Sequence, residues 1–302
     1  MSEGRRGFSL GVAAYVLWGA FPLYWPLLEP AGAVEILAHR IAWSVLTMGV
    51  LLVVVRRVPH FRALFRSRRT LALLSLAAVV IAVNWGVYIY GVNNGHVVEA
   101  ALGYFINPLV TVLMGVFIVG ERLRPWQWAA VGIASVAVIG LAIEYGHPPW
   151  IALALAFSFG TYGLAKKQAG VEAVESLTFE TLVLAPVAVG FLVWLGARGE
   201  GHFLSEGVDH AFLLATTGVV TAIPLLCFGA AAIRVPMTTL GLLQYLAPIL
   251  QFILGVTLLD ESMTTMRWVG FALVWVALVI FTWEAVRHRR SQLRLTAEAS
   301  AV

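Results

Sequence analysis

Four ionisable side chains fall within apolar runs of this chain: His39, Arg40, Glu99 and Glu180. A charge carried into hydrocarbon costs about 3 kcal/mol or more, so such residues mark gates, proton relays or binding sites for polar solutes. Imidazole and carboxylate can exchange protons near neutral pH when their surroundings shift them, whereas a guanidinium keeps its charge. Amides, hydroxyls and aromatic rings accompany them: Asn84, Asn107, Thr221 and Gln244, with Tyr15, Trp18, Trp85, Tyr88, Tyr104 and Tyr245. An amide at mid-membrane depth costs several kcal/mol, by order of magnitude, unless something bonds it. Ring faces plus a few amides suit an amphipathic or planar organic solute. The same residues would also serve as interhelical glue or as an interfacial aromatic belt.

Other chemistries lack their residues. The only aspartates, Asp209 and Asp260, fall in connections, so no Asp-rich magnesium cluster can assemble at depth. There is no H-E-x-x-H helix, G-x-S-x-G elbow or phosphate-cradling G-x-x-x-x-G-K-[ST] loop. The seven histidines are scattered without helical i, i+4 pairs, so no metal site is expected, and no cofactor. The single cysteine, Cys227, excludes an intramolecular disulfide and reads as packing.

The elements that must position the polar residues follow from composition. At 60% hydrophobic and 12% charged residues over 302 positions, there is more apolar surface than a water-facing globule buries, so a lipid bilayer is the expected solvent. Runs of about 20 apolar residues place ten transmembrane helices near 8–28, 34–55, 70–92, 96–119, 125–144, 149–167, 175–197, 211–232, 237–259 and 267–286. Seventeen of the twenty Lys and Arg residues lie on alternate connections and the two ends; the exceptions are Arg40, Arg198 and Arg267. That asymmetry is expected to put both termini in the cytoplasm, and it answers the formal charge of +4 without nucleic acid. The first span, with Trp18, Pro22, Tyr24, Trp25 and Pro26, is too long for a cleaved leader.

Shifting the sequence by 140 positions lays Glu35 on Glu175, Pro108 on Pro248, Gly115 on Gly255, Glu121 on Glu261 and Trp128 on Trp268, with no gap from residue 34 to about 139. Five spans per copy is an odd number, so the second copy must enter the bilayer inverted. The expected fold is all-α integral membrane, two inverted five-helix repeats over 1–145 and 146–287, with a cytoplasmic tail at 288–302 that also attracts anionic head groups. Pro108 and Pro248 are expected to kink their helices, as hinges or carbonyl-lined sites, with a static bend as the bland alternative. The fifth and tenth spans are nearly devoid of polar side chains and read as a lipid-facing or homodimer-facing scaffold. The polar third, fourth, eighth and ninth should surround a cavity.

Arg40 and Glu180 are repeat mates of opposite charge. Each lies about six residues, or ~9 Å, inside its helix start, but the helices start at opposite faces, so the two stay more than ~10 Å apart. Arg40 shares its depth better with Glu99, which suggests an outer Arg40–Glu99 gate beside His39, with Glu180 as the inner counterpart. Snorkelling of Arg40 to the interface is the bland alternative.

Several motifs carry a resemblance. Y-V-L-W-G-A-F-P-L-Y-W at 15–25, E-I-L-A-H-R-I-A-W-S at 35–44, N-W-G-V-Y-I-Y at 84–90, G-Y-F-I-N-P-L at 103–109 and Gly120-Glu121 together resemble the RarD subgroup of the EamA family, in the drug/metabolite transporter superfamily. Asp260-Glu261 departs from the Gly-Glu pattern. The resemblance implies a ten-helix inner-membrane transporter, two repeats around a central cavity, exporting metabolites or drugs; the subgroup's name is associated with chloramphenicol sensitivity. Together these readings describe a non-enzymatic secondary transporter of a small-molecule substrate by alternating access, with proton coupling through His39, Glu99 or Glu180. A passive facilitator or uptake carrier would share the bundle. A membrane receptor lacks a soluble module here, and an intramembrane enzyme lacks its aspartates.

Overall fold

The protein's computed structural model describes residues 3–114, 116–117, 123–232, 234 and 243–299, and every regular element among them is helical. In chain order these are α1 (Glu3–Gly19), α2 (Phe21–Tyr24), a 3-10 turn (Trp25–Leu28), α3 (Ala33–Val54), α4 (Val58–Leu64), α5 (Arg68–Asn93), α6 (Val97–Met114), α7 (Pro125–Tyr145), α8 (Trp150–Ala169), α9 (Ala173–Ala197), α10 (Val208–Ala232), α11 (Leu246–Thr257) and α12 (Thr265–Ala299). Among the described residues six helices are long and apolar enough to cross a membrane, namely α3, α5, α7, α9, α10 and α12, and the bent α1–α2 unit makes a seventh if taken as one span. Ser158, Thr161, Tyr162 and Lys166 make α8 more polar than these six. α11 is described only from Leu246, and Gly115, Glu121 and the stretch 235–242 lie outside the described residues. The amphipathic α4, lying between two expected spans, was not anticipated.

Proline spacing shapes the first span. α1 ends at Gly19, Pro22 occupies the first turn of α2, and Pro26 occupies the first turn of the 3-10 segment. A proline lacks the N–H that would continue the helical ladder, so the chain restarts twice and turns by 42°. The restart brings Phe21 and Trp25, four residues apart, onto one inward face, where they are 7% and 0% exposed. Tyr24 fixes this turn to α10 by donating to the Leu213 carbonyl at 3.0 Å and pairing with the Thr216 hydroxyl at 2.8 Å.

α3 and α9 run antiparallel. Glu35, in the first turn of α3, accepts from His202 just beyond α9, and Glu175, in the first turn of α9, accepts from Arg57 just beyond α3. The two glutamates are repeat mates and both are buried. The ends of the bundle differ in chemistry. At the basic end, Arg57–Glu175, Arg124–Glu284, Lys166–Glu180 and Arg234–Glu3 form ion pairs. At the opposite end carboxylates hold helix N-termini: Glu99 accepts from the Ile151 N–H at 3.0 Å, and Glu261 accepts from Val97 at 2.5 Å and Val98 at 3.0 Å. A carboxylate there satisfies orphan amides and complements the positive end of the helix dipole. Burial pushes the Glu261 carboxyl above its ordinary range, and the two amides act against that.

Two glycines set the close approaches. A Cβ on Gly218 of α10 would lie 2.4 Å from the Trp43 carbonyl carbon of α3, and one on Gly103 of α6 would lie 2.7 Å from the Ala152 oxygen of α8. Backbone against backbone leaves nothing flexible to yield, so these contacts require glycine. α7 and α12, the expected scaffold, pack on each other and on α6 through Ala130, Ala134, Phe271 and Val274. Val136, Ile139, Val276 and Val279 on their outer faces are exposed.

Candidate functional site

Arg40 lies at the centre of an aromatic box. Its Cζ is 4.0 Å from the Trp85 ring centroid, 5.0 Å from Trp25 and 5.8 Å from Phe21, and the residue is only 3% exposed. Its Nε donates to the Thr221 hydroxyl at 2.8 Å, and Thr221 in turn donates to the Thr217 carbonyl. The close α3–α10 approach at Gly218 brings Thr221, one turn further along, within reach of Arg40. The box therefore draws on the bent first span, α3, α5 and α10, so it joins segments from both halves of the chain.

No carboxylate among the described residues completes it. The ionisable neighbours that bear on Arg40 are the phenols of Tyr104, Tyr88 and Tyr24. The Nη groups make no hydrogen bond or ion pair among the described residues. Sealed, unpartnered polar atoms include Trp25 Nε1 and the Tyr88 hydroxyl. Cation–π contacts contribute ~2 kcal/mol each when desolvated, and removing an ion from water costs several. The rings therefore offset desolvation of the charge but supply no hydrogen-bond acceptor for its fork.

The expected Arg40–Glu99 gate does not form. Glu99 is buried against the N-terminus of α8, while Arg40 meets rings and Thr221. His39 turns away from the box and stacks on Phe203 with centroids 4.9 Å apart, its Nε2 unpartnered. Glu180 is fully engaged: it accepts from Lys166 Nζ at 2.8 Å, from the Ser176 hydroxyl at 2.6 Å and from the Tyr162 hydroxyl at 3.2 Å.

Asn84 is also satisfied by protein. Its Nδ2 donates to the Leu155 carbonyl and the Ser158 hydroxyl, both at 3.0 Å, and its Oδ1 accepts from Tyr104 at 3.2 Å. This amide joins α5 to α8, the bland reading of it, while Tyr104 packs edgewise on Phe159 and tilted against Tyr88. Asn107 is buried with an unpartnered Oδ1. Tyr15 and Trp18 form a cluster with Phe228, and the Trp18 carbonyl accepts from Gln251 at 3.1 Å, so this group lines the α1–α10–α11 contact. Tyr245 and Gln244 are half-buried, and Tyr245 packs against the apolar cluster that α6, α7 and α12 share.

The two mirror prolines behave differently. Pro248 sits in the first turn of α11, and the helix is interrupted at Gln244–Tyr245, where the missing N–H would have bonded. Pro108 lies within α6, whose backbone continues to Met114; its side chain is outside the described residues.

Phe21 and Trp25 are the site residues the sequence reading missed. Their signal was available: the Pro22/Pro26 pair places both aromatics on one face of a restarted helix.

A sequence profile described as the EamA-like transporter family matches the chain twice, over residues 5–143 and 149–283. A relative from Streptomyces exfoliatus, named Protein RarD, is 59% identical over 302 residues, covering 100% of this chain and 96% of that protein. An uncharacterized transporter from Pseudomonas aeruginosa is 43% identical over 291 residues, covering 95% of this chain and 96% of that one. One solved crystal structure aligns with a TM-score of 0.60 at 19% identity, covering 93% of this chain and 98% of that one, a likeness of fold.

Proposed function

Because the chain belongs to the EamA-like transporter family and is a multi-pass membrane protein, we propose that it is a secondary transporter that exports small organic metabolites or drugs across a bacterial inner membrane. It works by alternating access, rocking one half of the bundle against the other around the Arg40 box. The single observation that carries this reading is a buried charge, walled by rings and lacking a carboxylate partner among the described residues, placed where segments of both halves meet. A site at such a junction can open to either face as the halves tilt, which is the geometry that repeat-built carriers use.

In this reading the chain has ten spans in two inverted five-helix repeats, 1–145 and 146–287, with both termini cytoplasmic. The antiparallel α3–α9 pair, tied by mirror-related Glu35 and Glu175, supports the inversion. The concentration of arginine and lysine at the end holding Arg57, Arg124, Lys166 and Arg234 supports the orientation. The exposed apolar face of α7 and α12 meets lipid or a second copy. The residues placed to exchange protons during the cycle are His39, with its unpartnered nitrogen, and Glu99.

Comparing metabolites released by cells with and without the protein should reveal a solute whose export depends on it. Purified protein in liposomes should then carry that solute at a rate that tracks an imposed pH gradient. Flux indifferent to the gradient would make the protein a facilitator; binding without flux would make it a receptor.

A further inference from the structure

We propose that Arg40 is the anion-binding residue of this protein and that its ligand is a net-anionic organic carboxylate whose apolar body lies against Trp25, Trp85 and Phe21. The fork is the starting point. Nε is fixed by Thr221 at 2.8 Å, and the charge is backed by the Trp85 ring at 4.0 Å, so the guanidinium is held in one orientation with its Nη edge left over. A planar fork with two free N–H groups matches a carboxylate bidentately, the geometry in which arginine binds such groups best. Further donors lie in the same wall: Trp25 Nε1 and the Tyr88 hydroxyl are buried and unpartnered. Unmet donors around an uncompensated cation make a surface complementary to negative charge, and a bound carboxylate would supply what the rings cannot.

The surroundings also discriminate among anions and zwitterions. Every buried carboxylate among the described residues is already bonded: Glu35 to His202, Glu99 to Ile151, Glu175 to Arg57, Glu180 to Lys166 and Glu284 to Arg124. Glu175 and Glu284 each keep one oxygen without a partner, but they sit in ion pairs at the basic end of the bundle, so no carboxylate is among the ionisable neighbours of Arg40 to receive an ammonium group, and the ring faces nearest the site already hold a cation. A zwitterionic amino acid would therefore leave its amine unpaired, a desolvation cost that a simple carboxylic acid avoids. The three rings favour an organic body over a bare inorganic anion.

The inference deepens the transporter reading and takes from it the route by which the anion reaches the site. Binding by itself can be tested without transport. The full-length protein in lipid nanodiscs would be titrated with benzoate, phenylpyruvate and hexanoate, and with benzamide, phenylalanine and inorganic phosphate as contrasts, following thermal stability and tryptophan fluorescence. At least one of the three carboxylates should bind and quench Trp25 and Trp85, with the contrasts at least tenfold weaker. Arg40→Gln should weaken that carboxylate tenfold or more. Arg40→Lys, which keeps charge but not the fork, should fall between, and its folded state can be checked by its own melting curve. Failure of all three carboxylates, equal binding by Arg40→Gln, or preference for phosphate, benzamide or phenylalanine would overturn the assignment. Binding without flux in liposomes would sink the transporter reading and leave the anion site standing; flux of a neutral solute indifferent to Arg40→Gln would do the reverse.

Discussion

Arg40 and Glu180 stand 140 residues apart, at matching positions of α3 and α9, and their environments are opposites. Glu180, 1% exposed, has a cation, two hydroxyls and no unmet capacity: Lys166, Ser176 and Tyr162 surround it. Arg40, 3% exposed, has one hydroxyl, three rings and an open fork. A buried charge with its partners in place is a fastening between helices. A buried charge held rigid but left incomplete does little for the fold and is poised for something that arrives from outside. Depth and burial do not separate these roles; the inventory of partners does.

Replacing Arg40 by Gln should give the largest effect, because it deletes the incomplete charge. Flux of the exported solute in liposomes is expected to fall about a hundredfold, the scale of losing a close charge pair. Retention of more than half the flux would place Arg40 with the fastenings. Glu180→Leu should act on the opposite variable. Breaking a buried pair costs ~3–5 kcal/mol, and Lys166, at 22% exposed, can reach water, so a loss of about 3 kcal/mol is expected. Adding Lys166→Met should recover much of it in a double-mutant cycle; purely additive losses would mean the pair is not a fastening.

Gly218→Ala sharpens the contrast from the scaffold side. Its Cβ would meet the Trp43 carbonyl carbon at 2.4 Å, so α10 must move away from α3, at ~1–3 kcal/mol. That displacement pulls Thr221 from Arg40, and denaturation should show the stability loss together with weakened solute binding. Loss of stability with binding intact would show that the box does not depend on this approach. The smallest effect belongs to Glu261, whose bonds are complete but whose carboxyl burial pushes upward. The folded state then holds its proton to higher pH than the unfolded chain, so stability falls as pH rises above the ordinary 4.5. Glu261→Gln should flatten that portion of the profile of stability against pH, while an unchanged slope would exclude Glu261 as its source.

Membrane class, helix positions and the polarity of individual spans were legible because hydropathy is set by composition over twenty residues. Each expected span overlaps a helix among the described residues, and six pass the test of length and apolarity. Side-chain partners were less legible. Counting residues gives a height along the bundle, and that was enough to keep Arg40 from Glu180. It does not give azimuth, so Glu99 was matched to Arg40 when its nearest need was the α8 N-terminus. Trp25 was passed over because a span was treated as one rod, although Pro22 and Pro26 announce two restarts. Gln244 was expected near the midplane of a span kinked at Pro248, whereas the chain turns at Gln244–Tyr245, before α11 begins.

The melting temperatures of Arg40→Met and Glu180→Leu, measured side by side in the same nanodiscs, test the division between fastening and ligand-seeking charge most directly. Arg40→Met should melt at or above the parent protein, because an apolar side chain replaces an uncompensated ion, while Glu180→Leu melts well below it. A large drop for Arg40→Met, matching that of Glu180→Leu, would mean that Arg40 holds the bundle together and that its open fork is not waiting for a ligand.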